Sequence, residues 1–250
     1  MTMFARFQGA LSYVRGCEPI YRWKIVTGRC PICGPTYFAV LKPDPFTTRC
    51  IKCRATVTNL SIISAIEKTI GSARGKTAFE MSSYGATWRY LRDTCAEFHF
   101  SEYFPGHKSG EWINGIRNED ATHLSFENET FDVITSNQVF EHIFEDRKAY
   151  QECFRTLKDD GSLLFTVPMH NTPRTEQVAR LKNDQIEWLS APEFHSSRTT
   201  GPNSVPVFWR YSLNDIVERV SSAGFSKVSI VDVMIVPQQI NPQPVIYARK

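Results

Sequence analysis

The sequence predicts an α/β fold: a β-sheet with helices on both faces, preceded by a small zinc-binding unit. From residue 77 onward, short apolar segments typical of strands alternate with segments of helical periodicity, an order that favours a parallel sheet. Ahead of them, cysteines fall in two C-x-x-C pairs, a spacing typical of zinc ribbons. The 250 residues, 42% hydrophobic and 22% charged, suffice for one medium domain and a small appendage.

Net charge and the distribution of apolar residues limit the class of protein. The formal net charge of +3 at pH 7 is far from the concentrated positive charge of a dedicated nucleic-acid-binding protein, and it neither requires nor excludes a polyanionic partner. No stretch reaches the roughly 18 uninterrupted apolar residues of a membrane span, and the N-terminus lacks the apolar core of a secretory signal. We therefore expect a cytoplasmic protein without a transmembrane segment.

Residues 1–25 are predicted to form an amphipathic segment. Apolar side chains recur there at helical spacing among arginines. We favour packing of this segment on its own domain over a role as a membrane-surface or partner helix. The apolar positions are Phe4, Phe7, Leu11 and Val14.

Residues 26–58 contain the predicted zinc ribbon, with Cys30 and Cys33 in one pair and Cys50 and Cys53 in the other. Each pair turns tightly enough to present two thiolates, and the intervening hairpin-like stretch can bring the pairs around one tetrahedral ion. Four thiolates leave no position for water, so we expect a structural and not a catalytic zinc. A redox disulfide pair is the less favoured alternative.

Residues 59–250 are predicted to form the α/β domain. A helical segment, "NLSIISAIEKTI", and a linker, "GSARGK", come first. The stretch from about 170 to 211 is rich in Pro, Ser, Thr and Asn, and long loops of this kind are usually functional. We expect it on the substrate side. The alternating segments are "TAFEM", "WRYLRDTC", "EFHFSEY", "EWINGI", "FDVITSN", "EDRKAYQECFRTLK", "GSLLFTV", "SLNDIVERVSSAG", "SKVSIVDV" and "VIYARK".

Polar residues follow the predicted strands. The first strand ends at Glu80, the second leads to Glu102, the third leads to Asp120, and the fourth ends at Asn137. Ligands of open α/β sheets bind beyond the carboxyl ends of the strands. These residues are therefore the candidates for ligand binding.

The segment "EDATHLSFENETFDVITSNQVFEHIFEDRKAYQECFRTLKDDGSLLFTVP" resembles the central part of class I S-adenosylmethionine-dependent methyltransferases, in particular those of methyltransferase type 11. The shared order is an Asp, an "LPF"-like turn, an "SFD" strand, an "EH" turn and an "L-K-P-G-G" turn, here "LKDDG". The resemblance implies a Rossmann-like sheet of seven strands. A zinc ribbon ahead of such a domain resembles a bacterial subset of these proteins.

The resemblance also implies roles for individual residues in binding S-adenosylmethionine. Glu102 would accept hydrogen bonds from the ribose hydroxyls, and Asp120 from the adenine amino group, with the next backbone N–H on the ring. Glu80 would orient the first loop and the cofactor's ammonium. The alternatives are a turn or cap role for Asp120 and a solvent-exposed strand end for Glu80. The implied cofactor-binding residues are Glu80, Ser82, Ser83, Tyr84, Gly85, Glu102, Asp120, Ala121, Asn137 and His142.

The first loop departs from the glycine-rich pattern of the family. Ser82, Ser83 and Tyr84 stand where glycines are common, and Gly85 keeps one permissive position. The ring of Tyr84 must turn outward or lie against the ligand. We expect a tighter pocket, lined by side chains, at the methionine end.

Methyl transfer from a sulfonium requires alignment, exclusion of water and, for a hydroxyl nucleophile, removal of a proton. We rank His195 first and His170 second as the base, with Glu193 beside His195. The alternative for each histidine is a hydrogen-bonded loop residue. His142 is expected to shape the cofactor pocket.

We expect a methyltransferase that acts on a small molecule or a sugar or glycan precursor, with zinc as a structural ion. An RNA base methyltransferase is the second hypothesis, because Tyr37 and Phe38 could stack on bases within a ribbon that carries several cations. A non-catalytic interaction protein is the third, and the presence of Glu102 and Asp120 argues against it. The ribbon cations are Arg29, Lys42, Arg49, Lys52 and Arg54.

Overall fold

The computed structural model describes residues 23–183, 185–197, 200–237 and 242–250. Almost all of the predicted amphipathic segment, residues 1–22, lies outside the described residues, as does the loop residue 184. No helix within the described ranges is long and apolar enough to cross a membrane.

The cysteine-bearing unit forms a small antiparallel sheet. Strand β1 (Lys24–Cys30) pairs with β2 (Gly34–Val40), and β2 pairs with the short β3 (Arg49–Cys50). Tyr37 is exposed, whereas Phe38 is fully buried beneath the sheet, so the expectation that Phe38 could stack on a base is wrong. Alternation along a strand sends neighbouring side chains to opposite faces, which explains the difference.

Helix α1 (Val57–Ile70) follows the ribbon directly. The Thr56 side chain caps its start by accepting from the Asn59 backbone N–H, and Gly71 ends it with a φ of 76°. A threonine cap and a glycine stop are common helix boundaries because they satisfy end groups and permit positive φ. The sequence prediction of this helix is confirmed.

The remaining helices and strands follow in chain order. Up to the middle of the domain they are β4 (Thr77–Glu80), α2 (Ala86–Thr94), β5 (Glu97–Phe100), β6 (Trp112–Ile113), β7 (Ile116–Arg117), β8 (Phe131–Asn137), a 3₁₀ helix (Phe140–His142), α3 (Asp146–Thr156) and β9 (Leu157–Thr166). The rest are β10 (Met169–His170), β11 (Glu176–Gln177), β12 (Ala179–Lys182), β13 (Gln185–Trp188), β14 (Phe194–Ser197), β15 (Gly201–Pro206), β16 (Trp209–Ser212), α4 (Ile216–Ser221), β17 (Lys227–Val233) and β18 (Gln243–Arg249).

The central sheet has six strands in the order β17-β18-β9-β8-β4-β5. Strands β5, β4, β8 and β9 pair in parallel, whereas β18 is antiparallel to both β9 and β17. The expected parallel sheet is therefore correct except at β18. Only residues 234–242 connect β17 to β18, and a parallel return would need a crossover of a dozen or more residues.

The seventh strand that the resemblance implied is reduced to one isolated parallel bridge, between Glu102 and Asn118, among the described residues. The bridge lies beyond β5. The segment "EWINGI" forms the β6–β7 hairpin instead of a strand of the central sheet. A hairpin satisfies its backbone groups locally, so it does not extend the edge.

Helices cover both faces of the sheet, as predicted. In β4, Ala78 contributes to the core under α1 and α2, and the next residue, Phe79, contributes to the core under α3 and α4. In β8, Val133 and Ile134 divide between the two cores in the same way. Strands buried on both faces consist of continuous apolar residues, which explains why "TAFEM" and "FDVITSN" are predicted as strands.

The ribbon shares a core with the α/β domain. Phe38 belongs to the same buried cluster as Ile235 and Val245 of the β17–β18 region. The Arg29 backbone N–H donates to the Ile235 carbonyl at 3.2 Å, and a Cβ added at Gly28 would approach that carbonyl to 2.7 Å. Close backbone contact thus depends on glycine at position 28. The boundary between residues 26–58 and 59–250 stays a prediction.

The stretch from about 170 to 211 contains short strands, not irregular chain alone. Strand β16 pairs with β10 and β11, while β12–β13 and β14–β15 form two hairpins. The insertion is joined to the turn after β8, because the Trp209 indole donates to the Ile143 and Phe144 carbonyls at 3.0 Å each. We call residues 170–211 the insertion.

A buried ionic network joins α3, α4 and the insertion. Asp146 is 1% exposed and pairs with the Arg219 guanidinium at 2.6 and 2.7 Å. The Tyr211 hydroxyl donates to the same carboxylate at 2.8 Å.

Asp146→Ala should lower the free energy of unfolding by about 3–5 kcal/mol, because it leaves a buried arginine unpaired. Denaturant unfolding followed by circular dichroism measures the change. Asp93→Ala, which removes an exposed partner of Arg92, is the matched control and should have little effect. Equal unfolding midpoints for the two variants would contradict this assignment.

Candidate functional site

The loop between β4 and α2 begins at the carboxyl edge of the sheet and ends at a glycine with a positive φ. Gly85 is the N-cap of α2 with a φ of 106°. A Cβ built on it would lie 2.6 Å from Asn59 Oδ1, the atom that accepts from the Ala86 N–H at 2.8 Å. Both the positive φ and the close approach require glycine here. Ser82, Ser83 and Tyr84 stand where the family often has glycine, and none of them has a positive φ.

Ser83 connects this loop to the end of the second parallel strand. Its backbone N–H and its hydroxyl both donate to Glu102 Oε1, each at 2.8 Å. The structure therefore brings together two residues that the sequence predicted on separate strand ends. Because Oε1 holds the loop, Oε2 is the oxygen available to a ligand.

Glu80 is a buried carboxyl group at the end of β4. Its side chain is 1% exposed and accepts a hydrogen bond from the Thr135 hydroxyl on β8. Burial raises the pKa of Glu80 to about 8; the Thr135 hydrogen bond opposes this shift, and the nearby charge of Glu102 supports it. The alternative of a solvent-exposed strand end is therefore wrong for Glu80.

A cavity of about 160 Å³ is lined by Glu80 and by the loop between β4 and α2. Tyr84 is 40% exposed and lines the cavity without filling it. One wall comes from outside the α/β domain: Phe46 belongs to the ribbon. The lining residues are Phe46, Thr56, Thr58, Asn59, Glu80, Ser82, Tyr84, Gly85, Asn137 and Gln138.

The ribbon loop, residues 42–48, is fixed against α1. Thr58 donates to the Pro45 carbonyl through its backbone N–H at 3.3 Å and its hydroxyl at 3.2 Å. A second cavity, of about 250 Å³, lies on the other side of the loop between Pro45, Met169 and Pro244. Sequence reasoning missed this role of the ribbon, since cysteine spacing predicts a metal site but not where the intervening loop packs.

Asp120 and Asn137 already have partners in the structure. Asp120 Oδ1 accepts from the Thr122 N–H at 2.8 Å and hydroxyl at 2.7 Å, which is the turn role considered as an alternative. Ala121 packs at the edge of the core. Asn137 Oδ1 accepts from the Thr166 hydroxyl at 2.7 Å. Binding by these residues stays a prediction.

His142 and His195 meet although they are far apart in the sequence. His142 Nε2 lies 3.1 Å from His195 Nδ1, and Nδ1 of His142 lies 2.7 Å from the Pro206 carbonyl oxygen. Burial lowers the pKa of His142 to about 4 and also lowers the pKa of His195. Both rings are therefore neutral at pH 7. His170 is close enough for its charge to lower the pKa of His195 as well.

Two glutamates adjoin this histidine pair. Glu141 is fully buried, with Oε1 3.7 Å from His142 Nε2 and 3.8 Å from His195 Nδ1. Glu193 Oε1 lies 3.9 Å from His195 Nε2, and Arg210 binds the other Glu193 oxygen at 2.7 Å. Sequence reasoning placed Glu193 beside His195 but missed Glu141. Its position next to His142 in "FEH" was the available signal.

The four predicted metal ligands, Cys30, Cys33, Cys50 and Cys53, converge in the ribbon, with one sulfur of each within 4.8 Å of the others. Cys30 Sγ and Cys53 Sγ are 3.7 Å apart. Zn–S bonds of about 2.3 Å at tetrahedral angles separate sulfurs by about 3.8 Å, so the spacing suits zinc. Burial raises the pKa of the Cys30 thiol to about 11, so a bound cation is needed to hold it as a thiolate near neutral pH.

Glu80→Gln should flatten the dependence of stability on pH between about pH 4.5 and 8. The pKa of Glu80 is higher in the folded chain than in the unfolded one, so wild-type stability falls as pH rises through this window. Denaturant unfolding at a series of pH values measures the slope. The exposed Glu127→Gln serves as the control and should keep the wild-type slope. An unchanged slope in Glu80→Gln would show that the carboxyl group titrates normally.

Comparison with known proteins identifies the fold. Residues 69–165 match the protein family described as a methyltransferase domain. No curated protein matches the sequence significantly. Among solved structures, an S-adenosylmethionine-dependent methyltransferase from Mesorhizobium loti matches with a TM-score of 0.50 and 11% identity, over 76% of this chain and 98% of that chain.

Two further structures are similar to a comparable degree. The Burkholderia thailandensis 1,6-didemethyltoxoflavin-N1-methyltransferase, with bound 1,6-didemethyltoxoflavin and S-adenosylhomocysteine, matches with a TM-score of 0.50 and 15% identity over 77% of this chain and 78% of that chain. A complex of the Haloferax volcanii Trm112 methyltransferase activator with the putative methyltransferase gives 0.51 and 13% over 76% and 89%. The chain therefore has the α/β fold of S-adenosylmethionine-dependent methyltransferases.

Proposed function

We propose that this protein is an S-adenosylmethionine-dependent methyltransferase that acts on a small molecule or on a sugar or glycan precursor. The observation that carries the proposal is a cavity lined by Glu80 and by the loop that Ser83 fastens to Glu102. This cavity lies on the carboxyl edge of a sheet whose central segment matches the methyltransferase domain family.

The residues around this cavity fit the methionine and ribose parts of the cofactor. The buried Glu80 carboxyl group lines the cavity and would accept from the ammonium once it has lost its proton. Glu102 Oε2 would accept from the ribose, while Asp120 and Ala121 would lie at the adenine. Asn137 and His142 would complete the pocket. When bound, S-adenosylmethionine supplies the electrophilic methyl group.

The remaining predicted residues would act on the substrate. His195, His170 and Glu193 belong to the insertion, and His170 directly follows Met169, which lines the second cavity. They would orient the nucleophile and receive its proton. The ribbon loop would limit access by water because Phe46 lines the first cavity and Pro45 the second.

The small, divided cavities favour a small substrate over a polymer. The Burkholderia thailandensis methyltransferase, which has a similar fold, holds bound 1,6-didemethyltoxoflavin, and this supports a small-molecule substrate here.

RNA is the second candidate substrate. The ribbon cations Arg29, Lys42, Arg49, Lys52 and Arg54 are exposed, and so is Tyr37, which could stack on a base. With Phe38 buried, a single aromatic side chain of the predicted pair is left for stacking. Loss of RNA binding on neutralising these cations, together with methylation of RNA, would favour this candidate over the first.

We further propose that the four ribbon cysteines bind a structural zinc ion that stiffens the ribbon loop beside the cavities. The free thiols of the described cysteines suit a reducing compartment, so the cytoplasm remains the proposed location.

Calorimetry should detect binding of S-adenosylmethionine and S-adenosylhomocysteine to the zinc-loaded protein. Glu80→Gln should weaken binding of both by roughly ten- to hundredfold, because a charged hydrogen bond to the ammonium is lost. Wild-type affinity should rise with pH from about 6 to 8, up to about tenfold per pH unit, as Glu80 loses its proton.

His195→Ala provides the contrast to Glu80→Gln, since it should keep cofactor affinity nearly intact while reducing methyl transfer. Absence of any heat of binding to wild-type protein would rule out the enzyme proposals and leave the non-catalytic interaction protein.

Elemental analysis should find zinc bound by the ribbon. Cys50→Ser should lower the melting temperature by several degrees, because Cys50 belongs to the buried core that also contains Phe38. Cys95→Ser, at a half-buried position outside the cluster, is the matched control and should keep both the zinc and the melting temperature. Purified protein that contains no zinc, and in which the four ribbon cysteines titrate as free thiols, would contradict the site.

A further inference from the structure

We propose that Glu141, His142 and His195 form a second metal site, which binds a divalent transition-metal ion and directs the enzyme to a hydroxyl group of its substrate. The proposal rests on the proposed methyltransferase function for its chemical role, but the metal site itself is argued from geometry alone. It is separate from the ribbon, whose four sulfurs form a closed set.

The three ligand atoms have the spacing of a metal-binding triangle. His142 Nε2 and His195 Nδ1 are 3.1 Å apart, and Glu141 Oε1 lies 3.7 and 3.8 Å from them. Metal bonds of about 2.1 Å at tetrahedral angles place neighbouring ligand atoms about 3.4 Å apart. An ion can therefore contact all three atoms after shifts of a few tenths of an ångström.

Glu141 supplies the second, independent indication of a ligand. Both of its carboxylate oxygens are buried, and neither has a hydrogen-bond partner within the described residues. A buried carboxylate without a partner is strongly unfavourable, and such groups in native proteins are usually paired or bound to metal. A cation between Glu141 and the two rings would satisfy it.

The hydrogen bonds around His142 prepare it as a ligand. The Pro206 carbonyl can only accept, so the proton of the neutral ring is on Nδ1 and Nε2 carries the lone pair. Metal-binding histidines typically donate their other ring N–H in this way. The ring is thus fixed with its lone pair directed at His195 and Glu141.

The environment of His195 favours the complementary arrangement. Its Nε2 faces the Glu193 carboxylate at 3.9 Å, which favours the proton on that nitrogen and leaves the Nδ1 lone pair facing His142. Two lone pairs 3.1 Å apart repel each other unless a proton or a cation lies between them. A metal ion would remove the repulsion between the two lone pairs and would also give the buried Glu141 carboxylate a partner.

Two imidazoles and one carboxylate are ligands suited to zinc and neighbouring transition metals, and less suited to calcium or magnesium. Three protein ligands leave a coordination position open, as in catalytic sites. The 3₁₀ helix that carries Glu141 follows β8, whose last residue Asn137 lines the cofactor cavity. The open position is therefore on the edge of the sheet where the substrate is expected.

The site specifies a hydroxyl substrate because a bound metal ion lowers the pKa of a coordinated hydroxyl group. With His195 bound to the metal ion, it is a ligand and no longer the base, so the substrate hydroxyl loses its proton to water. The hydroxyl oxygen then forms a bond to the methyl carbon of S-adenosylmethionine. The carbon–sulfur bond breaks, and its electron pair stays on sulfur. The products are a methyl ether, S-adenosylhomocysteine and a proton in solvent.

Cobalt(II) titration of full-length protein that carries one zinc ion per chain, in the four-cysteine site, tests the second site. Wild type should bind one additional cobalt ion whose spectrum lacks thiolate charge-transfer bands, because its ligands are nitrogen and oxygen. Glu141→Gln and His195→Ala should each weaken that binding by at least about thirtyfold. His107→Ala changes an exposed histidine and should leave the titration unchanged.

Circular dichroism and the ribbon's zinc content check that each variant is folded. No additional cobalt in wild type, or equal affinity in wild type and the two ligand variants, would overturn the metal site. S-adenosylhomocysteine calorimetry on the same samples keeps the two proposals apart: cobalt binding without cofactor binding retains the metal site and rejects the methyltransferase, and the reverse result rejects the metal site alone.

Discussion

The parallel pairing of β4 between β5 and β8 determines where the two carboxyl groups of the candidate cofactor site lie. In this register Glu80 is opposite both Phe100 and Thr135. Glu80 is therefore within reach of the Thr135 hydroxyl, and Glu102, just past β5, is within reach of the loop after β4. A shift of β4 by one residue would turn Glu80 to the opposite face of the sheet and remove it from the cavity.

Local sequence patterns were sufficient for the elements that form this register. Strands β4, β8 and β9 each contain a short apolar run with polar residues on either side, and the α1 and α3 segments have helical periodicity. The antiparallel β18 and the β6–β7 hairpin required information on which strands pair, and single segments do not carry it. The strand-end rule led to Glu80 and Glu102, which lie close together at the carboxyl edge of the sheet because the rule depends only on the direction of parallel strands. Their role in binding stays a prediction.

Long-range packing accounts for what the sequence did not predict. The contact of His142 with His195 depends on the insertion folding back over the turn after β8, where the Phe208 N–H donates to the Glu141 carbonyl at 2.8 Å. The ribbon loop lies over the cavity because α1 begins directly after the ribbon. Neither contact has a local sequence signature, and both bring together segments that are remote along the chain.

Asn59 gives the position of α1 a further consequence. This residue belongs to the first turn of α1, beside the ribbon, and its side chain caps the N-terminus of α2, where the cofactor loop ends. The Asn59 side chain therefore links the position of the ribbon to the position of the loop between β4 and α2. By thermodynamic reciprocity, if the proposed zinc ion raises the affinity for the proposed cofactor by some factor, bound cofactor raises the affinity for zinc by the same factor. When zinc is scarce, protein with bound cofactor would therefore keep its zinc, and an ordered ribbon, longer than protein without cofactor.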